Sequence, residues 1–343
     1  MNDKIYLNSQ EIFHAARRLS LLPENHRANS MHGHNFVTGL KINPVEQTSN
    51  SLNDLLSSLR DLVNPLDYQL LNDFMDNPSD QNIAIKLKKE FNDKTFINSF
   101  VSCTPQQGAI CDGLENISFW RGFTFQAAHQ LPNVPKGHKC GNMHGHTFEM
   151  ILHSSDQAIN SYDLELMCEF LFKKLNKKCL NSIKGLENPT SEMIVSWAWS
   201  LLENKFDAIS HIVIKETGHA GCSFDGKNHQ IWREQTLQSA ISDVSNPDIY
   251  GHGYLTRLYI TAPLDQVYGW TMDFGDVKKI FEPVFYQMDH RYLNELKNLN
   301  DFTLFGLVKW MKSQLQEFLP ALDRIDLYES DGNGVELFIH KEK

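Results

Sequence analysis

A chain of 343 residues, 41% hydrophobic and 22% charged with a formal net charge of -10, is long enough for two or three domains around a sizeable core. That balance belongs to folded rather than disordered chains, and its acidity argues against general nucleic-acid binding, which needs a basic face. No apolar run approaches the ~20 residues of a membrane span, and the opening MNDKIYLNSQEIF lacks a signal-peptide core, so no membrane partner and a cytoplasmic location are expected.

Read from its beginning, the chain repeats itself. Residues 13–36 align with 125–148 at a constant offset of 112 and agree at 11 of 24 positions, among them Phe13/Phe125, His26/His138, His32/His144, His34/His146 and Phe36/Phe148. A second step of 112 carries WRGFTFQAAH at 120 onto WREQTLQSAI at 232, so a weaker third copy begins near residue 230. Its YGHGY segment puts Tyr250 and His252 in the slots of His144 and His146. The expected units are 1–115, 116–229 and 230–343.

Each unit reads as two strands, two helices and two strands, an α+β pattern. In the second, helices are predicted over 162–178 and 191–204, with HIVIKET as a buried strand between charged ends. In the third, YLTRLYIT alternates as a strand, and Val277, Ile280, Phe281, Val284, Phe285 and Met288 recur at helical spacing. Leu304, Leu307, Val308, Met311, Leu315 and Phe318 form a second stripe, and RIDLYES with GVELFIHK reads as a closing hairpin.

Six cysteines are too sparse for a disulfide scaffold. Cys168 and Cys179 read as small core residues; Cys140 differs because it lies in the polar loop GHKCGNMHGHTF. His144 and His146, two apart on a strand, point to one face, and His129 ends the preceding strand where antiparallel pairing brings it opposite them. Three neutral imidazoles with an open fourth position suit a catalytic zinc ion. In repeat 1 the slot of His129 is Arg17, whose fixed charge repels a dication, and repeat 3 keeps only His252, so both are expected to be metal-free. Lys139 and a nearby dication favour the Cys140 thiolate.

The carboxylates offer further candidates. Glu216 closes the strand IKET, where a carboxylate accepts two parallel N–H bonds from an amino-pyrimidinone edge. In NPTSEM, Thr190 or Ser191 caps a helix and Glu192 sits in its first turn, which accounts for them without a ligand, although the same groups are available to one. Asp289 and His290 are adjacent at a helix end; a carboxylate can hold an imidazole as general acid or base, yet such adjacency is more often structural.

Together FTFQAAHQLPNVPKGHKCGNMHGHTF, GLENPTSEM, IKETGHAGC and GWTMDFGDVKKIFEPVFYQMDHRYLNEL resemble the 6-pyruvoyl-tetrahydropterin synthase family, most closely its queuosine-pathway branch of 6-carboxytetrahydropterin synthases. The resemblance is specific over about half of the chain and holds for repeat 1 only in outline. It implies the tunnelling fold, in which three ββααββ subunits close a twelve-stranded antiparallel barrel with helices outside. Here three repeats would form a pseudo-trimer, and pairing of such trimers would make a homodimer.

The resemblance assigns Zn2+ to His129, His144 and His146, thiol chemistry to Cys140, and pterin anchoring to Glu216 with help from Thr190, Ser191 and Glu192. The family's Asp-His pair reads Asn176-Lys177 in repeat 2 and Asp67-Tyr68 in repeat 1. Because the family shares its sites between subunits, Asp289 and His290 of repeat 3 are expected to complete one composite site with repeat 2. The implied reaction converts 7,8-dihydroneopterin triphosphate to 6-carboxy-5,6,7,8-tetrahydropterin with loss of triphosphate and acetaldehyde. Alternatives are 6-pyruvoyl-tetrahydropterin synthesis, another pterin lyase or aldolase, and a non-catalytic zinc- and pterin-binding scaffold. Where the branch usually reads KETCTAGC, this chain has Gly218 and His219.

Overall fold

Alternation along each long strand decides the architecture, because side chains two apart share a face. In Ile117–His129, Phe125, Ala127 and His129 are buried while Thr124 and Gln126 are exposed. The computed structural model describes residues 2–48, 50–154, 161–203, 209–243, 246–329 and 332–340. Repeat 1 comprises β1 (Lys4–Arg17), β2 (His32–Ile42), α1 (Asn50–Val63), the two-residue β3 (Gln69–Leu70), α2 (Asp80–Glu90), β4 (Phe96–Thr104) and β5 (Gln107–Asp112). Repeat 2 follows with β6 (Ile117–His129), β7 (His144–Ser154), α3 (Ser161–Leu175), the short β8 (Lys178–Cys179), α4 (Ser191–Leu202), β9 (Ile209–Thr217) and β10 (Ala220–Phe224). Repeat 3 supplies β11 (His229–Ile241), β12 (Tyr250–Thr261), α5 (Phe274–Met288), α6 (Leu304–Leu315), β13 (Leu322–Glu329) and β14 (Gly334–Phe338).

Apart from the short β3 and β8, twelve strands form one antiparallel sheet that β14 closes on β1, with Lys4 opposite Phe338 and Asn8 opposite Gly334. Closure leaves no long unpaired edge, the hazard a lone repeat would carry. Six helices cannot fit inside such a barrel, so they coat it, and the core lies between sheet and helices. Phe13 stacks on its register partner Phe36 at 4.8 Å, and Phe125 on Phe148 at 5.1 Å. Leu59, Ile83, Leu171, Val195, Phe281 and Val308 complete the same layer from the helices. No described helix is long and apolar enough to cross a membrane.

Repeats meet at β5–β6, β10–β11 and β14–β1. Across two of these seams a glycine faces a tryptophan, Gly108 opposite Trp120 and Gly221 opposite Trp232. A Cβ on Gly221 would stand 2.3 Å from the Trp232 ring and 2.4 Å from Ile214 O. The carbonyl cannot yield without moving the strand, so Gly221→Ala should cost about 1–3 kcal/mol. A lowered urea midpoint with an unchanged slope is the expected signature; an unshifted midpoint would refute the close approach.

Three expectations change. The stripe reaching Phe318 overran its helix: α6 ends at Leu315 and Phe318 is 68% exposed, two residues before Pro320, which disfavours helix in its neighbourhood. HIVIKET is not buried throughout, since only Ile212 and Ile214 are buried while the alternate residues face the lumen. Cys179 is half-exposed in β8, whereas Cys168 is buried in α3. Residues 204, 330 and 341 at the ends of predicted elements lie outside the described residues.

Candidate metal centre between repeats 2 and 3

Register brings the histidines together. Along β6 and β7, His129 pairs with His144 and Ala127 with His146, so the three rings converge at one end of the hairpin with centroids 4.5–5.2 Å apart. Glu216, at the end of β9, joins them: one ligand atom from each of His129, His144, His146 and Glu216 lies within 4.8 Å of the others. This is the only such group among the described residues.

Hydrogen bonds aim these rings. His129 Nδ1 lies 2.9 Å from Pro189 O and His144 Nδ1 lies 2.8 Å from Asn142 O. A carbonyl only accepts, so both Nδ1 atoms carry the proton and both Nε2 lone pairs are left for the centre. His129 Nε2 and His146 Nε2 are buried and lack a hydrogen-bond partner. His146 Nε2 is 3.2 Å from Glu216 Oε1, close enough for attraction only if a proton or cation sits between two acceptors. Burial holds the His129 and His146 rings below the usual histidine range, which keeps them neutral as ligands must be. Orphaned nitrogens, neutral rings and an adjacent carboxylate fit a divalent ion.

Cys140 lies in a single 3-10 turn, Lys139–Gly141, between the two strands. Against the expectation from Lys139, its thiol is pushed up, first by burial and then by the Glu216 charge. Thr190 is the cap of α4, accepting from Met193 N–H at 3.2 Å, and Ser191 Oγ donates to Glu216 Oε2 at 2.9 Å. Glu192 is 2% exposed, and burial raises its carboxyl to about 7 against the opposing bond from Thr271 N–H at 2.7 Å.

That last bond belongs to a strap from repeat 3 that sequence reasoning did not single out. Asn133 donates to Val267 O, Asn188 to Tyr268 O and Thr190 to Gly269 O, so residues 267–271 lie across the mouth of α4. His138 is the second omission. Its Nδ1 accepts from Cys140 N–H at 3.2 Å and its Nε2 faces Asp273 Oδ2 at 3.4 Å, tying the thiol loop to the start of α5. The signal was present, since His138 and His26 agree across repeats.

Asp289 and His290 form a bonded pair, Nδ1 to Oδ2 at 2.8 Å, and the described contacts do not join them to the imidazole cluster. Their position is nevertheless informative. One edge of β11 pairs with β12 along its length; the other is covered by β10 only from His229 to Arg233. Beyond that, Asp289 Oδ1 accepts from Gln238 N–H at 2.8 Å and Arg291 O from Ala240 N–H at 2.8 Å. The pair therefore lies along the edge that faces repeat 2. Asp67-Tyr68 and Asn176-Lys177 hold the same slot on β1 and β6, and Tyr68, Lys177 and His290 share φ of 55–57°. The left-handed backbone thus belongs to the architecture, and only the side chains differ.

The other repeats have filled the metal slot. Arg17 is 1% exposed, bonded to Asp80 at 2.6 Å and to Pro78 O at 2.9 Å, with its guanidinium over Phe36. In repeat 3, Ile241 stands in the slot of His129, and His252 faces Glu329 at 3.5 Å. Asp80→Ala would leave a buried uncompensated cation and should cost about 3–5 kcal/mol, read as a lowered thermal midpoint; an unchanged midpoint would mean Arg17 is solvated.

Comparison with known proteins agrees with this geometry. The family model for 6-pyruvoyl tetrahydropterin synthase matches twice, over residues 118–227 and 228–339. The chain is 32% identical over 96 residues to a 6-carboxy-5,6,7,8-tetrahydropterin synthase of Synechocystis, covering 24% of this chain and 73% of that one. It is 28% identical over 93 residues to a dihydroneopterin monophosphate aldolase of Pyrococcus furiosus, covering 26% and 78%. Among solved structures, the 6-pyruvoyl tetrahydropterin synthase of Caenorhabditis elegans aligns at 18% identity and a TM-score of 0.29, over 33% of this chain and 95% of that one. With matches spanning repeats 2 and 3, the chain belongs to the 6-pyruvoyl tetrahydropterin synthase family.

Proposed function

We propose that this chain is a zinc-dependent pterin lyase of the queuosine branch, converting 7,8-dihydroneopterin triphosphate to 6-carboxy-5,6,7,8-tetrahydropterin with loss of triphosphate and acetaldehyde. One composite site lies between repeats 2 and 3. The observation that carries this reading is the convergence of His129, His144, His146 and Glu216 in the repeat that also holds Cys140, with the Asp289-His290 pair on the facing edge of repeat 3. The printed name of the Synechocystis relative supports the choice of product.

A zinc ion held by His129, His144 and His146 supplies Lewis-acid polarisation of the substrate's side-chain oxygens. Cys140 accepts the proton from the adjacent C–H, and neutralisation of Glu216 by the bound cation removes one of the two causes that hold its thiol up. His290, oriented by Asp289, returns or relays that proton. Glu216 and Glu192 present carboxylates to the pterin ring, with Thr190 and Ser191 fixing the helix start beneath it. The strap over α4 excludes water from that side.

The test is to incubate the zinc-loaded protein with 7,8-dihydroneopterin triphosphate and follow pterins and acetaldehyde by mass spectrometry. 6-Carboxytetrahydropterin with acetaldehyde is the expected result; a retained three-carbon side chain would give the pyruvoyl reaction instead. A second reading, a pterin aldolase acting on another substrate, draws on the Pyrococcus furiosus relative. Intact triphosphate substrate alongside cleavage of dihydroneopterin or its monophosphate would establish it. Zinc-loaded protein inert to all three would favour the binding scaffold.

A further inference from the structure

Between repeats 1 and 2 lies a cavity of about 830 Å³, at the place where the composite site lies between repeats 2 and 3. Arg17 Nη1 donates to Pro78 O at 2.9 Å as His129 Nδ1 does to Pro189 O at 2.9 Å. Ser79 caps α2 through Asn82 N–H as Thr190 caps α4 through Met193 N–H, which puts Gln81 in the slot of Glu192. Ala28 N–H donates to His26 Nδ1 as Cys140 N–H does to His138 Nδ1, so Ala28 stands for the thiol. Register pairs Val37 with Ser102 and Glu149 with Lys215, so the next residue, Cys103, holds the slot of Glu216.

Every group needed for turnover has therefore been exchanged, yet the space has not collapsed. A redundant pocket is ordinarily filled, because an empty one forfeits packing. Two lining residues also carry buried polar atoms without a partner: Arg17 Nε, a donor on a side chain 1% exposed, and Asn77 Oδ1, an acceptor. Each such atom costs free energy until something pairs with it. The volume falls within the range of small-molecule sites.

We propose that this cavity is a second, metal-free site that binds a pterin by its lactam edge. The choice of pterin rests on the function proposed above. A carboxylate such as Glu192 only accepts, but the Gln81 amide accepts at its oxygen and donates at its nitrogen, matching the ring N–H and adjacent C=O of a pyrimidinone. Arg17 and Asp80 replace the ion as a fixed internal pair, so no metal is required. With alanine in the slot of the thiol, the bound pterin is held and not turned over. Guanine shares the same lactam edge, and the test separates the two.

Equilibrium binding of neopterin is measured on the full chain, zinc-loaded and after chelation, with guanosine as a parallel probe. Two equivalents per chain are expected with zinc and one after chelation. Gln81→Ala should weaken the zinc-independent equivalent about tenfold or more, and Ala28→Phe, which fills the cavity, should abolish it. Neither substitution touches the zinc-dependent equivalent. No binding after chelation, binding indifferent to both substitutions, or guanosine taken in place of neopterin would each overturn the proposal. Loss of the zinc-dependent equivalent alone would count against the proposed function and leave this site standing.

Discussion

Replacing His144 with alanine should empty the centre of zinc while leaving the barrel closed. The side chain is only partly buried and is not part of the Phe125–Phe148 layer, so thermal unfolding should change little. With two imidazoles left, metal content should fall from about one ion per chain to near zero at limiting zinc, and turnover by about a thousandfold or more. The parallel change His34→Ala should leave metal content untouched, because Arg17 already occupies the centre of repeat 1. Elemental analysis of both variants decides it, and a zinc-replete His144→Ala protein would sink the assignment.

The second large effect concerns the facing repeat. His290→Ala should reduce kcat by about a hundred- to ten-thousandfold, the usual range for a positioned acid or base, with zinc retained and KM little changed. Asp289→Asn is the sharper probe. An asparagine oxygen still accepts from Gln238 N–H, so the backbone turn survives while the charge that orients His290 is lost. Its effect should be smaller than that of His290→Ala and should flatten the pH profile. Unchanged kcat in both variants would leave the pair a structural turn, as it is in repeats 1 and 2.

Much of this was legible in the sequence because repetition is a strong signal. The ββααββ order and the barrel follow from alternating strands and two amphipathic stripes per repeat. Convergence of His129, His144 and His146 follows from a strand register that two matched hairpins define. The strap at 267–271 and the bridge from His138 to Asp273 were not legible, since both depend on how two repeats pack and no local period records that. The thiol's direction was misjudged for a related reason: Lys139 is adjacent in sequence, whereas Glu216 is adjacent only in the fold. Phe318 shows the converse limit, a helical period that continues after the helix has stopped.

The pairing of β14 with β1 brings residues near the two ends of this sequence side by side, with Lys4 opposite Phe338 and His340 N–H bonded to Asp3. The barrel is therefore a ring whose cut is arbitrary. A circular permutant opened in the turn between β5 and β6, with its old ends joined, would run repeat 2, repeat 3, repeat 1 and close the same sheet. One opened instead between β10 and β11 would put the chain break through the seam beneath the composite site, so comparing the two would show whether that site needs covalent continuity or only neighbours in the right order.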